Sequence, residues 1–446
     1  MKRKILILIF SILSPLLSFS QGEFNKWYFG NKAALDFNSG IPVALTNSCM
    51  VAIQASATVS DSLGNLLFYS PGTEIYNRNN AILQNGFLLY CNPGNSQPVC
   101  SVKILGSDSL YYLFTLRADF PNIFGLFYSI IDMSLDGGLG GVISGQKNIP
   151  VNGAGDALDK LYAIRHKNNR DIWLVTNNWN VYYSFLITSS GISSTPVVSP
   201  SAVHFSGPFL SYGNGVLKIS QDGTKFAACF MNDSTVEFGT FDDLTGELHS
   251  LFKFRPNCPP YMAIMKHCEF SPDSKKIYVE GRVPFSTTDY HQTIFQYDAT
   301  KTDSAQFMQS QYIVYNSPNL DLGSQGLQLG PDFKIYANRI YRDSLSVIDN
   351  PNVQGPGCNF IVNAVSLAGK IAYYDFPQLL QKYKAYLHYT GTGCNTDSLH
   401  FSGDIWPPAD TIRWNFGDPA SGVDNVSFLP DPVHIYSSPG TYTVEL

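Results

Sequence analysis

Short apolar stretches alternate with polar, turn-forming clusters along almost the whole chain, and the stretches read with the period of a strand, not of a helix. One arrangement recurs. A cluster holding Asp, Asn or Gly is followed at once by a run of aromatic and β-branched residues. Ser60-Asp61-Ser62-Leu63-Gly64-Asn65 precedes Leu66 to Tyr69, and Gly106-Ser107-Asp108-Ser109 precedes Leu110 to Thr115. Lys167 to Asp171 precedes Ile172 to Thr176, and Ser220 to Lys225 precedes Phe226 to Phe230. Ser271 to Lys276 precedes Ile277 to Val279, and Gly330 to Lys334 precedes Ile335 to Ala337. Such clusters supply the residues that tolerate hairpin geometry. Further strands are expected at Leu126 to Asp132, Tyr182 to Thr188, Val236 to Phe241, Thr293 to Tyr297 and Leu345 to Ile348.

With Asp61, Asp108, Asn169, Asp222, Asp273 and Asp332 as markers, the intervals are 47, 61, 53, 51 and 59 residues. A repeat of roughly 50 residues suits one four-stranded blade with its loops. The fold class expected is all-β: a seven-bladed β-propeller over residues 21–380. Six blades follow from the markers. The seventh comes from Trp27 to Gly30, Ala34 to Phe37 and Pro42 to Leu45, with its missing strand supplied by Lys370 to Phe376. Pairing chain start with chain end removes open strand edges. Two stacked sandwiches are the rival architecture and explain the spacing less well. The markers are read as turn residues.

The first twenty residues differ from the rest. Lys2, Arg3 and Lys4 lead into an apolar run from Ile5 to Leu17 and then Ser18-Phe19-Ser20, the pattern of a secretory signal cleaved after Ser20. The run is short for a membrane span of roughly 20 residues. Localisation is therefore expected to be extracellular or at the outer cell surface, with no transmembrane segment in the mature chain.

Composition agrees with short strands and tight turns: charged residues are 14%, aromatics 14%, with 36 Gly and 26 Pro. The net charge of −6 becomes −9 once Lys2, Arg3 and Lys4 are removed, and no basic cluster follows, which disfavours a nucleic-acid partner. Eight cysteines in an exported chain permit disulfides. Cys91 with Cys100, and Cys258 with Cys268, are close enough to bridge one loop each, while Cys229 reads as a buried thiol. No Cys-x-x-Cys pair is present, so no metal site is expected.

Phe270-Ser271-Pro272-Asp273-Ser274-Lys275-Lys276-Ile277-Tyr278-Val279 resembles the Ser-Pro-Asp-Gly-Lys-x-Tyr-Val motif of bacterial surface propellers. Ser274 and Phe333 stand where that repeat prefers Gly. Near the chain end, Trp414-Asn415-Phe416-Gly417-Asp418 is similar to the Trp-x-Phe-Gly-Asp signature of the PKD domain, and Pro432 to Tyr436 with Pro439 to Val444 match its second signature. Together these resemble the N-terminal propeller and PKD region of large secreted Bacteroidetes proteins of the type IX secretion and gliding-associated kind. The resemblance implies an immunoglobulin-like PKD sandwich over residues 385–446, lacking its last strand.

No nucleophile elbow, zinc helix, phosphate loop or dinucleotide fingerprint occurs, so no catalytic residue and no cofactor is expected. Asp132 and Asp136 read as a Gly-rich turn, not a calcium loop. His267 beside Cys268 is not a nucleophilic pair, because adjacent strand residues face opposite ways. The binding candidates are polar-aromatic loops: Asn177, Asn178 and Trp179, where amides beside an indole suit a sugar ring, together with Arg117 and Tyr290. The function expected is a non-enzymatic surface or adhesion protein with a glycan or protein partner, its PKD module acting as a spacer. The alternative is a polysaccharide-acting propeller enzyme, glycosidase or lyase, which requires carboxylates from separate sheets to converge at the channel mouth.

Overall fold

The computed structural model describes residues 22–119, 123–204, 214–231, 233–258, 264–284, 290–317, 326–380, 384–391, 398–406 and 411–446. The expected leader lies outside them. Among the described residues, no helix is long and apolar enough to cross a membrane.

The period-two stretches fold into small antiparallel sheets, taken in chain order. The first holds Lys26–Phe29, Ala33–Asp36 and Val43–Leu45. The second holds Ser56–Ser60, Leu66–Ser70 and Tyr76–Asn77. The third to seventh open with the strands Val99–Lys103, Leu161–Arg165, Leu217–Ile219, Ile264–Phe270 and Leu327–Leu329, and each continues outward through at least three more. These opening strands neighbour one another from sheet to sheet and form an inner wall. The arrangement is all-β and propeller-like.

Each pair of neighbouring sheets traps its own apolar cluster. Tyr28, Ala34 and Tyr69 join the first sheet to the second, and Phe68, Val99 and Leu113 join the second to the third. Further round, Phe238, Cys229, Cys268 and Phe295 join the fifth to the sixth. Trp27, Phe29 and Leu35 of the first sheet pack on Tyr336, Leu345 and Val347 of the seventh, so the last sheet meets the first. No sheet could bury both faces alone, and stacking removes that apolar surface from water at about 25 cal/mol per Å².

All six marker residues lie in the turn between the opening strand of a sheet and its second strand. Several of these turns require a left-handed residue: Gly64 (φ 78°), Gly106 (φ 85°), Asn169 (φ 60°) and Gly223 (φ 71°). Ser274 (φ 58°) and Phe333 (φ 62°) adopt the same conformation without being glycine.

Closure departs from expectation in one respect. Chain start and chain end do meet, since Asn31 N donates to Ile371 O at 2.8 Å and Ile371 N to Asn31 O at 3.3 Å. Residues 370–376 nevertheless add no strand to the first sheet, which stays three-stranded. Instead Pro377–Gln378 pairs in parallel with Ser56 and Ala57 of the second sheet. Pro377 lacks an N–H, which suits it to the edge of such a ladder. Gly30 (φ 56°) makes the contact possible, because a Cβ there would sit 2.5 Å from Ile371 O.

A short α-helix, Ser304–Gln309, interrupts the β pattern. Asp303 caps it by accepting from Gln306 N at 3.0 Å, and Phe307 inserts into the core stacked on Tyr297 at 4.8 Å. The tail has its own core of Leu399, Phe401, Trp414 and Phe416 between two small sheets: Lys384–Thr390, Leu399–Trp406 and Val433–His434 in one, Trp414–Asn415 and Val426–Ser427 in the other. Trp414 and Phe416, two positions apart, both point inward, and His434 is structural, stacked on Phe416 at 4.3 Å.

The cysteines correct the sequence reading. Cys91, Cys100, Cys258 and Cys268 are thiols, and no disulfide is present among the described residues. Cys100 and Cys268 point into two different inter-sheet cores, while Cys91 Sγ donates to Pro98 O and Cys258 Sγ to Pro256 O. Each expected pair sets a loop cysteine, Cys91 or Cys258, against a strand cysteine, Cys100 or Cys268, that is buried in an inter-sheet core.

Candidate active site at the channel mouth

The opening strands leave one edge unpaired toward the axis, and polar side chains satisfy it. Gln97 clasps Leu217, donating to its O at 3.0 Å and accepting from its N at 2.8 Å. Gln378 donates to Leu161 O at 2.9 Å. Glu269 accepts from Leu329 N at 3.2 Å and from Lys218 Nζ at 3.0 Å, while Lys218 also reaches Gln328 Oε1 at 2.8 Å. Buried backbone groups need partners, so the axis is lined with polar and ionised side chains that are nonetheless buried.

At the end where the opening strands begin, this lining becomes chemically rich. Asp159 is 3% exposed. Its carboxylate accepts from Ser96 N at 2.7 Å and from Gly215 N at 3.1 Å, drawing together the entries to the third, fourth and fifth sheets. Burial raises its pKa, opposed by the cations of Lys160 and Lys266 and by Ser96. Lys266 is the extra residue of a β-bulge between Met265 and His267. Bulges re-aim side chains. Here the ammonium reaches Gln54 Oε1 at 2.9 Å and lies 4.2 Å from the centre of the Tyr374 ring. Burial lowers its pKa, against the pull of Asp375, Asp159 and Glu280.

His267 lies between two carboxylates, Nδ1 3.4 Å from Glu280 Oε2 and Nε2 3.4 Å from Asp375 Oδ2. Burial opposes the imidazolium, but Asp375 and Glu280 outweigh it and the pKa is raised. Cys268 faces the other way, toward Ala227 O, as alternation requires. Three carboxylates from separate parts of the chain, Asp159, Glu280 and Asp375, thus surround one lysine.

Above Asp159 opens a cavity of about 230 Å³ lined by Asn92, Gly94, Asn95, Ala118, Leu158, Asp159 and Asn214. Among the described residues no cluster of His, Cys, Asp and Glu is arranged to hold a metal ion. Asp132 is engaged by Ser134 N at 2.9 Å and Ser134 Oγ at 2.7 Å.

The loop residues singled out from sequence fall at this same end of the sheets, since Thr176 pairs with Leu161, Thr115 with Val99, and Tyr290 with Pro284. They are not brought together into one site. Asn177 is buried and structural: its Oδ1 accepts from Lys160 N at 3.0 Å. Asn178 braces its own turn, donating to Asp156 at 2.6 Å and to Tyr183 Oη at 2.9 Å. Trp179 is half-buried in that turn. Arg117 lies over the Tyr90 ring, 4.8 Å from its centre. Tyr290 begins the strand Tyr290–Asp298, and its side chain lies outside the described residues. Asp159, Lys266, His267, Glu280 and Asp375 carried no sequence signal, being scattered over more than two hundred positions without motif spacing.

No family model matches the chain, and no curated protein matches it. It is similar in fold to solved structures. One, from Bacteroides uniformis, is provisionally assigned as a 6-phosphogluconolactonase; identity is 12%, coverage is 80% of this chain and 99% of that one, and the TM-score is 0.45. A second, from Bacteroides fragilis and provisionally assigned alike, gives 10%, 80%, 97% and 0.42. The periplasmic gluconolactonase of Pseudomonas aeruginosa gives 10%, 62%, 72% and 0.37. These neighbours bear lactonase names, and the expectation of a non-enzymatic adhesion protein is not carried forward. Likeness at this level carries no substrate.

Proposed function

We propose that the chain is an enzyme acting on a carbohydrate substrate at the channel mouth. The observation that carries this reading is the cavity floored by a buried carboxyl of raised pKa and walled by three carboxamides. Asn92 and Asn95 are held in place by Ala118 O at 2.7 Å and Leu158 O at 2.9 Å, and with Asn214 they line the wall with amides of the kind that bond sugar hydroxyls. Asp159 supplies an acid–base group, because burial holds its proton affinity nearer neutrality than a solvated carboxyl would have. Lys266 stands behind it, attracted by Asp375 and Glu280, the two carboxylates that also flank His267. The approach of Asp159, Glu280 and Asp375 to one lysine supports this reading.

The test is turnover of a panel of polysaccharides, oligosaccharides and sugar lactones by the purified protein, beside Asp159→Asn. The expected result is hydrolysis or elimination on one class, reduced roughly 100-fold or more in the variant with its thermal midpoint checked. No turnover across the panel, or equal turnover by a folded Asp159→Asn, defeats the reading.

For the scaffold, we propose that the stacked sheets are the blades of one closed seven-bladed β-propeller, followed by an immunoglobulin-like module of the PKD type, and that the chain is exported. Supporting this are the cluster that joins last sheet to first, the Trp414–Phe416 core, and the leader pattern of residues 1–20. N-terminal sequencing of secreted protein is expected to begin at Gln21.

A further inference from the structure

Cys229 and Cys268 belong to different sheets and meet in the core between them. Cys229 lies on Lys225–Phe230 of the fifth sheet, and Cys268 on Ile264–Phe270 of the sixth. Both are 0% exposed and sit in one apolar cluster with Phe238, Phe270 and Phe295. The Cys268 thiol donates to Ala227 O at 3.7 Å, on the same strand and two residues from Cys229, and it is also in side-chain hydrogen-bond contact with Cys229. Period-two alternation puts residues 227 and 229 on one face of their strand, and that face looks toward Cys268. The two sulfurs are therefore neighbours across a sheet boundary, 39 positions apart in sequence. Sequence spacing set Cys268 with Cys258, not with Cys229, and the acid–base cluster at the mouth uses neither Cys229 nor Cys268.

We propose that Cys229 and Cys268 form a disulfide that cross-links the fifth and sixth sheets when the chain folds in the presence of a small disulfide oxidant. One thiol loses its proton, and its sulfur attacks the oxidant's S–S bond, forming a mixed disulfide and releasing one thiolate. The second cysteine, deprotonated in turn, displaces the other half of the oxidant and closes the protein S–S bond. The chain loses two protons and two electrons, and the oxidant leaves as two reduced thiols. Sulfurs already in contact on facing strands need only a small approach to reach bonding geometry.

Timing follows from burial. In the closed fold the Cys268 thiol is pushed well above its ordinary pKa by desolvation, so thiolate is scarce and an oxidant has no path to it. Exchange belongs to the folding chain, after the two sheets dock and before the ring shuts. Lys160 is wholly buried against the Phe230 ring, its ammonium 4.2 Å from the ring centre, and places a cation in the same neighbourhood.

Reduced, denatured full-length protein is refolded in mixed reduced and oxidised glutathione, alkylated, digested without reduction and mapped by mass spectrometry. A parallel sample is refolded in reductant alone. The expected result is a Cys229–Cys268 linked peptide, a loss of about 2 Da per such bond, and a thermal midpoint roughly 5 °C above the reduced sample. Folded reduced protein given the same buffer is expected to stay unlinked for hours. Recovery of both cysteines alkylated after oxidative refolding overturns the proposal, as does either one linked to a different cysteine. The mapping uses wild-type protein, so a variant that fails to fold cannot blur it; Cys229→Ala, where it folds, is expected to lack the midpoint rise.

Discussion

Two residues carry the same backbone demand and answer it differently. Ser274 and Phe333 both hold a left-handed φ in a turn where glycine is at ease. Left-handed geometry costs a side-chain-bearing residue roughly 1 kcal/mol. Ser274 offsets this: fully buried, its Oγ accepts from Asp222 N at 3.1 Å and ties the sixth sheet to a turn of the fifth. Phe333 is 52% exposed. Phe333→Gly is therefore expected to stabilise by about 1 kcal/mol, whereas Ser274→Gly is expected to be neutral or destabilising. Urea unfolding with unchanged m-value checks both, and equal gains would remove the distinction. His267 gives a pH signature. Its pKa is raised in the fold by Asp375 and Glu280 in spite of burial. Its contribution to stability is complete below the unfolded value of about 6.5 and is lost as pH rises through the folded value. The thermal midpoint is expected to fall on passing from pH 6 to pH 9, with a shallower fall in His267→Gln.

At the scale of elements, the inner strands depend on buried polar clasps. Lys218 bonds Glu269 of the next sheet and Gln328 of the one after, with side chains 5% and 2% exposed for the ion pair. Removing one partner leaves a buried charge uncompensated. Lys218→Met is expected to cost about 3–5 kcal/mol, and Lys218→Met with Glu269→Leu to recover much of it. Chemical denaturation of the two variants beside wild type settles this; a double variant no better than the single would show that Glu269 matters chiefly for Leu329 N. The bulge at Lys266 is also an element-level fact. The sequence from Ile264 to Phe270 alternates well enough to predict a strand, but an inserted residue leaves no mark in composition, and it is this insertion that aims Lys266 at the axis.

For the whole molecule, the decisive contact joins residues 29–31 to 371–376. Trp27 packs edge-on against Phe376 at 5.4 Å, and Gly30 allows Ile371 O to approach. Gly30→Val places a side chain where there is no room and in a left-handed conformation. It is expected to lower the thermal midpoint by several degrees and to open the segment 366–376 to limited proteolysis. A variant cleaved no faster than wild type would mean that closure does not run through this contact.

Strand existence, the turn between first and second strands of six sheets, and the tail's Trp414–Phe416 alternation were all legible in the sequence. They follow from local chemistry: side-chain direction alternates along a strand, and tight turns select Asp, Asn and Gly. The meeting of chain start with chain end was legible too, though not the choice of Pro377–Gln378 as the added strand. The acid–base cluster, the Cys229–Cys268 contact and the thiol state of the expected disulfide pairs were decided only in three dimensions. Each depends on side chains from different sheets sharing one buried volume, and proximity of that kind is set by how sheets stack about an axis, which no interval along the chain records.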